Sequence, residues 1–168
     1  MTGLAASHKA ERYLLWLAAN TLATAAVAWV AFAVQQEGIA PAVLFPLFVG
    51  AALGGTEVTI LRLTRVPSVR VVLAGALVWG LLVVVAQDYI GHRRRLRLYD
   101  DARAAQDPRV ALFMAQEPQM RPTFAAYWAG RVRAQPVWWS LDGALTSGAC
   151  AFVVALATKK PRTTSLAA

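Results

Sequence analysis

Four long apolar runs divide this chain, and each is about as long as a membrane-spanning helix. The runs cover about residues 13–34, 39–63, 69–92 and 137–158. The third is the clearest, because the sixteen residues from Val71 to Ala86 carry no charge and no polar group except the indole of Trp79. Between its flanking charges, Arg70 and Asp88, this run would span roughly 27 Å as a helix, close to the hydrocarbon thickness of a bilayer.

This pattern predicts an all-α integral membrane protein whose four transmembrane helices form a bundle. Residues 1–12 are a polar N-terminal segment, and residues 159–168 are a basic tail. Residues 93–136, between the third and fourth runs, are basic and less apolar, and we expect short amphipathic helices there, outside the membrane. The chain is therefore expected to cross the membrane four times, with one long loop before the last span.

Two helix starts are visible within the long loop. Asp107 precedes Pro108, which matches an N-cap residue followed by proline at the first helical position. The segment 121–123 opens a second short helix, in which aromatic and basic residues recur at helical spacing. Such a mixture is typical of a helix that lies in the membrane interface, and a soluble helical hairpin capping the bundle fits equally well. The sequence leaves both interpretations open.

The first two runs each allow a second interpretation. Ala31-Phe32-Ala33 resembles a signal-peptide cleavage site, but the apolar core of this run is longer than a signal peptide requires, which favours a retained helix. The second run contains Pro41, Pro46 and several glycines. Such residues are tolerated in a transmembrane helix, and they also occur in re-entrant hairpins, so a re-entrant segment is the alternative to a full span.

Composition and charge narrow the class of partner. The chain has 168 residues, of which 58% are hydrophobic, and a formal net charge of +8. Its basic residues flank the apolar runs instead of forming a separate domain, which favours contact with anionic lipid head groups and argues against nucleic acid. Cys150 is the single cysteine, and the two histidines are far apart, so we expect no disulfide, no metal site and no cofactor.

Basic residues divide almost evenly between the two sides of a four-span topology. The side with both termini and the turn at 64–69 carries eight, and the side with the long loop carries nine. Long loops follow the positive-inside rule less strictly, so we expect cytoplasmic termini in a bacterial-type inner or plasma membrane. With 39–63 re-entrant, the counts would become eleven against six, and the long loop would be cytoplasmic together with the N-terminus.

Four polar residues within the spans each need a physical reason. They are Asn20, Glu57, Asp88 and Asp142. A charged side chain at the centre of a transmembrane helix costs about 2.5–3.5 kcal/mol on insertion scales. Because successive helices alternate in direction, Asn20 and Glu57 should lie towards the side of the termini, and Asp88 and Asp142 towards the side of the long loop.

Two hypotheses explain these carboxylates. The first is a polar pathway in which Glu57 or Asp142 binds a proton or a cation. The second hypothesis is structural. The carboxylates would form interhelical hydrogen bonds with Asn20, Thr56 or Thr59, or ion pairs with Arg131 and the neighbouring arginines.

Small residues indicate where helices approach closely. Gly50 and Gly54 form a GxxxG pair, and Gly143 and Ser147 continue this spacing in the fourth span. Such faces are expected at helix contacts within one bundle, and they also occur between the copies of a homo-oligomer.

The remaining functional signal is a block of arginines after the third span. We call Arg93, Arg94, Arg95 and Arg97 the arginine collar, and we expect it, with Arg131 and Arg133, to contact anionic lipid head groups or a partner protein. No catalytic motif is present, so the chain is not expected to be an enzyme. The sequence favours a small multi-pass protein of accessory, scaffold or assembly type. The alternative is a small transporter or channel that uses Glu57 and Asp142.

Overall fold

The described part of the chain is helical. The structure is a computed structural model, and it describes residues 2–38, 44–66, 68–104 and 123–159, among which there is no β-strand. The helices are α1 (Thr2–Gln36), α2 (Leu44–Thr64), α3 (Val69–Ala104), α4 (Phe124–Ala134) and α5 (Pro136–Thr158).

Four of these helices contain segments long and apolar enough to cross a membrane. The segments are His8–Gln36, Leu44–Thr64, Val69–Leu98 and Pro136–Thr158. Large apolar side chains such as Leu22, Trp29 and Phe48 are exposed on the outside of the bundle, as expected where a protein faces lipid instead of water. The all-α, four-helix transmembrane class predicted from the sequence is confirmed.

Several helix boundaries differ from those expected. The first helix begins at Thr2 instead of near residue 13, and α3 continues to Ala104, three turns beyond the apolar run. The second span is one continuous helix, Leu44–Thr64, and not a re-entrant hairpin. Pro46 lies in its first turn, where the backbone has no helical hydrogen bond to lose. The helix expected after Asp107 lies outside the described residues.

The helix ends show why the chain reverses where it does. Gly38, after α1, has a φ of 71°, a left-handed conformation that glycine adopts without steric cost. Arg65 closes α2 in the same region with a φ of 51°, and its N–H donates to the carbonyl of Leu61 at 2.9 Å. At the start of α4, the hydroxyl of Thr123 accepts from the N–H of Ala126 at 3.3 Å, the expected N-cap bond.

The four spanning helices form a ring in the order α1, α2, α5, α3. Helix α5 packs against α2 and α3, and α1 packs against the same two helices on the opposite side. Within the described residues, no Cα atom of α1 lies within 8 Å of one in α5, and few Cα atoms of α2 and α3 approach each other that closely. The consecutive helices α2 and α3 therefore face each other across a diagonal of the bundle, although the turn between them is short.

Glycines set the distance between α5 and its two neighbours. A Cβ added at Gly54 would lie 2.8 Å from the carbonyl oxygen of Cys150 and 2.9 Å from the Cβ of Val153. At Gly50 it would overlap the carbonyl oxygen of Thr146. On α3, a Cβ at Gly80 would lie 3.0 Å from the backbone nitrogen of Ser147. Helix α5 is thus packed backbone to backbone against α2 and α3.

These contacts also locate the two other small residues of the predicted packing faces. Gly143 and Ser147 both face α3, because a Cβ at Gly143 would lie 3.2 Å from Leu81 and Ser147 lies against Gly80. Thr146 and Cys150, three residues after Gly143 and Ser147 respectively, contact α2 instead. The two sides of α5 therefore serve two different helix contacts within one bundle.

Adjacent glycines of α2 provide a matched test of this packing. Gly54→Ala should destabilise the protein by about 1–3 kcal/mol, because the new methyl group meets backbone atoms of α5 that cannot give way. Gly55→Ala is the control, since nothing lies within 4 Å of its added Cβ, and it should be neutral or slightly stabilising. Unfolding of the purified proteins in detergent measures both; equal stability of the two variants would contradict the packing described.

Candidate functional site

The spanning helices meet around Glu57, whose side chain is fully buried. The thiol of Cys150 on α5 donates to Oε2 of Glu57, with 3.5 Å between the two atoms. On α3, a Cβ at Gly75 would lie 3.6 Å from Oε1 of Glu57 and would overlap the ring of Trp16 on α1. One residue from each span therefore contributes to this group. We call Trp16, Glu57, Gly75 and Cys150 the Glu57 cluster.

The hydrogen-bond partner of Glu57 differs from those expected. Asn20 donates from its side-chain nitrogen to the carbonyl oxygen of Trp16 at 2.9 Å. Thr56 and Thr59 donate to carbonyl oxygens of their own helix, at 2.9 and 3.1 Å. Oε1 of Glu57 has no hydrogen-bond partner among the described residues. The carboxylate and the thiol of this cluster are fully buried, in the half of the bundle towards the termini.

An ion pair lies at the opposite end of the bundle. Nε of Arg131, on α4, is 3.2 Å from Oδ1 of Asp88, which is largely buried on α3. Nη1 of Arg131 also donates to the hydroxyl of Tyr127 at 3.3 Å. Burial lowers the pKa of Arg131, but the charge of Asp88, the contact with Tyr127 and the charge of Asp142 together raise it above its ordinary value. Arg131 therefore stays charged and fastens α4 to α3.

Aromatic contacts reinforce this attachment of α4. The rings of Phe124 and Tyr89 meet edge to face with 5.3 Å between centroids, and Tyr127 lies 4.8 Å from the ring of His92. Trp128 meets Trp139, at the start of α5, with 5.3 Å between centroids. Contacts of this kind add to the area buried and hold α4 at the end of the spans.

Two adjoining cavities open beside the ion pair. The loop-side cavity has a volume of about 270 Å³, and its charged and amide-bearing lining residues are Gln35, Gln36, Gln87, Asp88, Arg95, Arg131 and Asp142. The deep cavity, of about 180 Å³, lies further into the bundle, where Thr146 and Val49 line it. Gln35, Gln87 and Asp142 line both cavities. Glu57 lines neither cavity. Glu57 and Asp142, the two carboxylates considered for a polar pathway, therefore belong to different sites.

The arginine collar divides into exposed and inward-facing members. Arg93, Arg94 and Arg97 are exposed on α3, as is Arg133 on α4, and none of them forms an ion pair within the described residues. The guanidinium of Arg94 lies 6.0 Å from the centre of the Phe32 ring. Arg95 instead turns towards the loop-side cavity, and its Nη1 is buried with no hydrogen-bond partner in the described part of the chain.

Some site residues carried little signal in the sequence. In the sequence, Cys150 is one small residue within an apolar run, and its contact with Glu57 depends on a helix pairing that periodicity does not reveal. Gln35 and Gln87 lie at the ends of apolar runs, where amides usually mark the limit of a span. Asp142 lies at the same end of the spanning helices as these two glutamines, and their common depth is the one sequence feature that relates them.

Comparisons with known proteins add no functional assignment. No family model, curated protein or solved structure matches this chain. Among the residues that the structure describes, no group of three or more His, Cys, Asp or Glu is arranged to hold a metal ion.

The ion pair can be tested by a double-mutant cycle. Arg131→Gln should lower stability by about 1–2 kcal/mol, because it leaves the largely buried Asp88 carboxylate without its partner, while the exposure of Arg131 limits the loss. Asp88→Asn combined with Arg131→Gln should cost less than the two single changes together, with a coupling of about 1 kcal/mol. Unfolding in detergent gives all three values.

Arg133→Gln is the control, since this arginine lies on the same helix and is exposed. It should leave stability within about 0.5 kcal/mol of the starting protein. Strictly additive effects of the Asp88 and Arg131 substitutions would show that the two charges do not interact in the folded protein.

Proposed function

We propose that this small multi-pass membrane protein is a non-enzymatic accessory, scaffold or assembly protein whose exposed arginines bind anionic lipid head groups. The observation that carries the proposal is the position of Arg93, Arg94 and Arg97. They follow the apolar part of α3 directly, on a helix that continues outwards, and they are exposed and without an acidic partner in the described residues. Each basic residue near an anionic surface contributes about 1 kcal/mol of attraction.

The docking of α4 supports this role. Arg131 is used to bind Asp88, and aromatic contacts hold α4 against α3 and α5. This attachment keeps Arg133 at the same end of the bundle as the collar. A fixed set of positive charges at the membrane surface suits a protein that recruits anionic lipid, or an acidic partner held at that surface. With cytoplasmic termini, which we also propose, this surface faces the other side of the membrane.

Transport through Glu57 and Asp142 is the alternative, and the geometry favours it less. Asp142 lines cavities that open towards the long loop, whereas Glu57 lies in a closed cluster outside both cavities. Bulky buried residues such as Leu53 and Val83 lie in the core of the bundle. A role for the two carboxylates in one pathway would need a rearrangement of the packed helices.

The lipid preference of the collar can be measured with spin-labelled lipids. In vesicles of phosphatidylcholine and phosphatidylglycerol, the protein should immobilise labelled phosphatidylglycerol in preference to labelled phosphatidylcholine. Replacing Arg93, Arg94 and Arg97 with Gln should remove most of this preference, because about 1 kcal/mol of attraction is lost for each arginine. Added salt should weaken the preference of the starting protein in the same direction.

The matched control replaces the same three arginines with Lys, which keeps the charge and should keep the preference. If the triple Gln protein retains the full preference for phosphatidylglycerol, the collar does not recruit anionic lipid and the proposal fails.

A further inference from the structure

An apolar groove on the outside of the bundle adjoins the polar cavities. The groove has a volume of about 640 Å³ and lies between residues 26–34 of α1 and 45–52 of α2, and the residues that line it are all Ala, Val or Phe. We call it the side groove. Phe45 and Val49 line both the side groove and the deep cavity, so the two lie on either side of the same side chains.

The dimensions of the side groove match one lipid leaflet. Eight residues of rise along α1, from Ala26 to Val34, correspond to about 12 Å, against about 15 Å for half of the hydrocarbon core. The helix directions agree as well, since Val34 and Phe45 lie towards the side of the long loop and Ala26 and Ala52 lie deeper. An acyl chain lying in the groove would therefore place its head-group end at the cavities.

The charges around the cavities select the kind of head group. Asp88 and Arg131 are in direct contact as an ion pair, and the charge of Arg131 also acts on Asp142 at longer range. The carboxylate of Asp142 and the guanidinium of Arg95, one of each sign, also line the loop-side cavity, and neither is in direct contact with an opposite charge within the described residues. Nη1 of Arg95 and Oδ2 of Asp88, whose side chain is about nine-tenths buried, have no hydrogen-bond partner there either.

From this arrangement we propose that the side groove and the two cavities form one binding site for a phospholipid with a primary ammonium group, of the phosphatidylethanolamine type. One of the two acyl chains lies in the side groove, and the phosphate binds Arg95. The ammonium group binds Asp142 and donates further hydrogen bonds to the amide oxygens of Gln35 and Gln87. A lipid with both charges gives each of these two groups a direct partner, whereas an anionic lipid gives Asp142 no opposite charge in direct contact. This site is separate from the exposed arginines and does not depend on their function.

Native mass spectrometry of the full-length protein in detergent tests the site. Delipidated protein is titrated with phosphatidylethanolamine, phosphatidylcholine and phosphatidylglycerol of the same acyl chains, and with soluble phosphoethanolamine. We expect one phosphatidylethanolamine to be retained most tightly, because its primary ammonium group donates charge-assisted hydrogen bonds to a carboxylate. The quaternary ammonium of phosphatidylcholine has no N–H, and the hydroxyl groups of phosphatidylglycerol are uncharged donors. Phosphoethanolamine should not bind measurably, since it lacks the chain that occupies the side groove.

Two variants separate the polar and apolar parts of the site. Asp142→Asn should weaken phosphatidylethanolamine binding about tenfold, the loss expected for one charge-assisted hydrogen bond, and should reduce its advantage over phosphatidylglycerol. Ala52→Phe fills the exposed side groove without touching the polar residues and should weaken all three lipids alike. Gly55→Ala, on the exposed face of α2 outside the groove and both cavities, should change none of these affinities.

Four results would overturn the proposal. The first is equal retention of the three lipids, and the second is a preference for phosphatidylglycerol over phosphatidylethanolamine that persists when Arg93, Arg94 and Arg97 are replaced with Gln. The third is unchanged binding in Ala52→Phe, which would place the lipid elsewhere even if Asp142→Asn fails to fold. The fourth is binding of soluble phosphoethanolamine, which would show a site for a free head group instead of a lipid.

Discussion

The close approach of α5 to α2 and α3 is the constraint on which the other features depend. Gly50 and Gly54 admit the backbone of α5 on one side, and Gly80 admits it on the other. In a membrane, where lipid and side chains are equally apolar, such backbone contact replaces the hydrophobic effect as the source of packing energy. It brings Cys150 within hydrogen-bonding distance of Glu57 and places Asp142 beside the cavities that α3 lines.

The sequence predicted the number of spans because runs of about twenty predominantly apolar residues leave few alternatives. It also predicted that the GxxxG pair would be a contact face. The ring order could not be predicted, because apolar side chains cover every face of a spanning helix and periodicity does not identify the neighbour. Consequently the pairing of Glu57 with Cys150, and the separation of Glu57 from Asp142, required the three-dimensional arrangement. The re-entrant alternative arose from Pro46 and the glycines, which instead begin and pack a continuous helix.

Polar residues of the spans thus fall into two sites with different environments. The Glu57 cluster is enclosed by all four spans, and its carboxylate is fully buried. Asp88 and Asp142 lie at the other end, beside amides, arginines and open volume. The first arrangement suits a structural role at the point where the helices converge. The second provides charges of both signs at the long-loop end of the bundle, beside an apolar groove and next to the exposed arginine collar.

The division into a closed and an open site can be measured by cysteine accessibility in native membranes. Cys150 is fully buried and is the natural reporter of the Glu57 cluster, so a charged, water-soluble thiol reagent should not modify the unaltered protein. Gln87→Cys, in a Cys150→Ala background, should react, because position 87 lines both cavities. Rapid modification of Cys150 together with an unreactive Gln87→Cys would contradict the account.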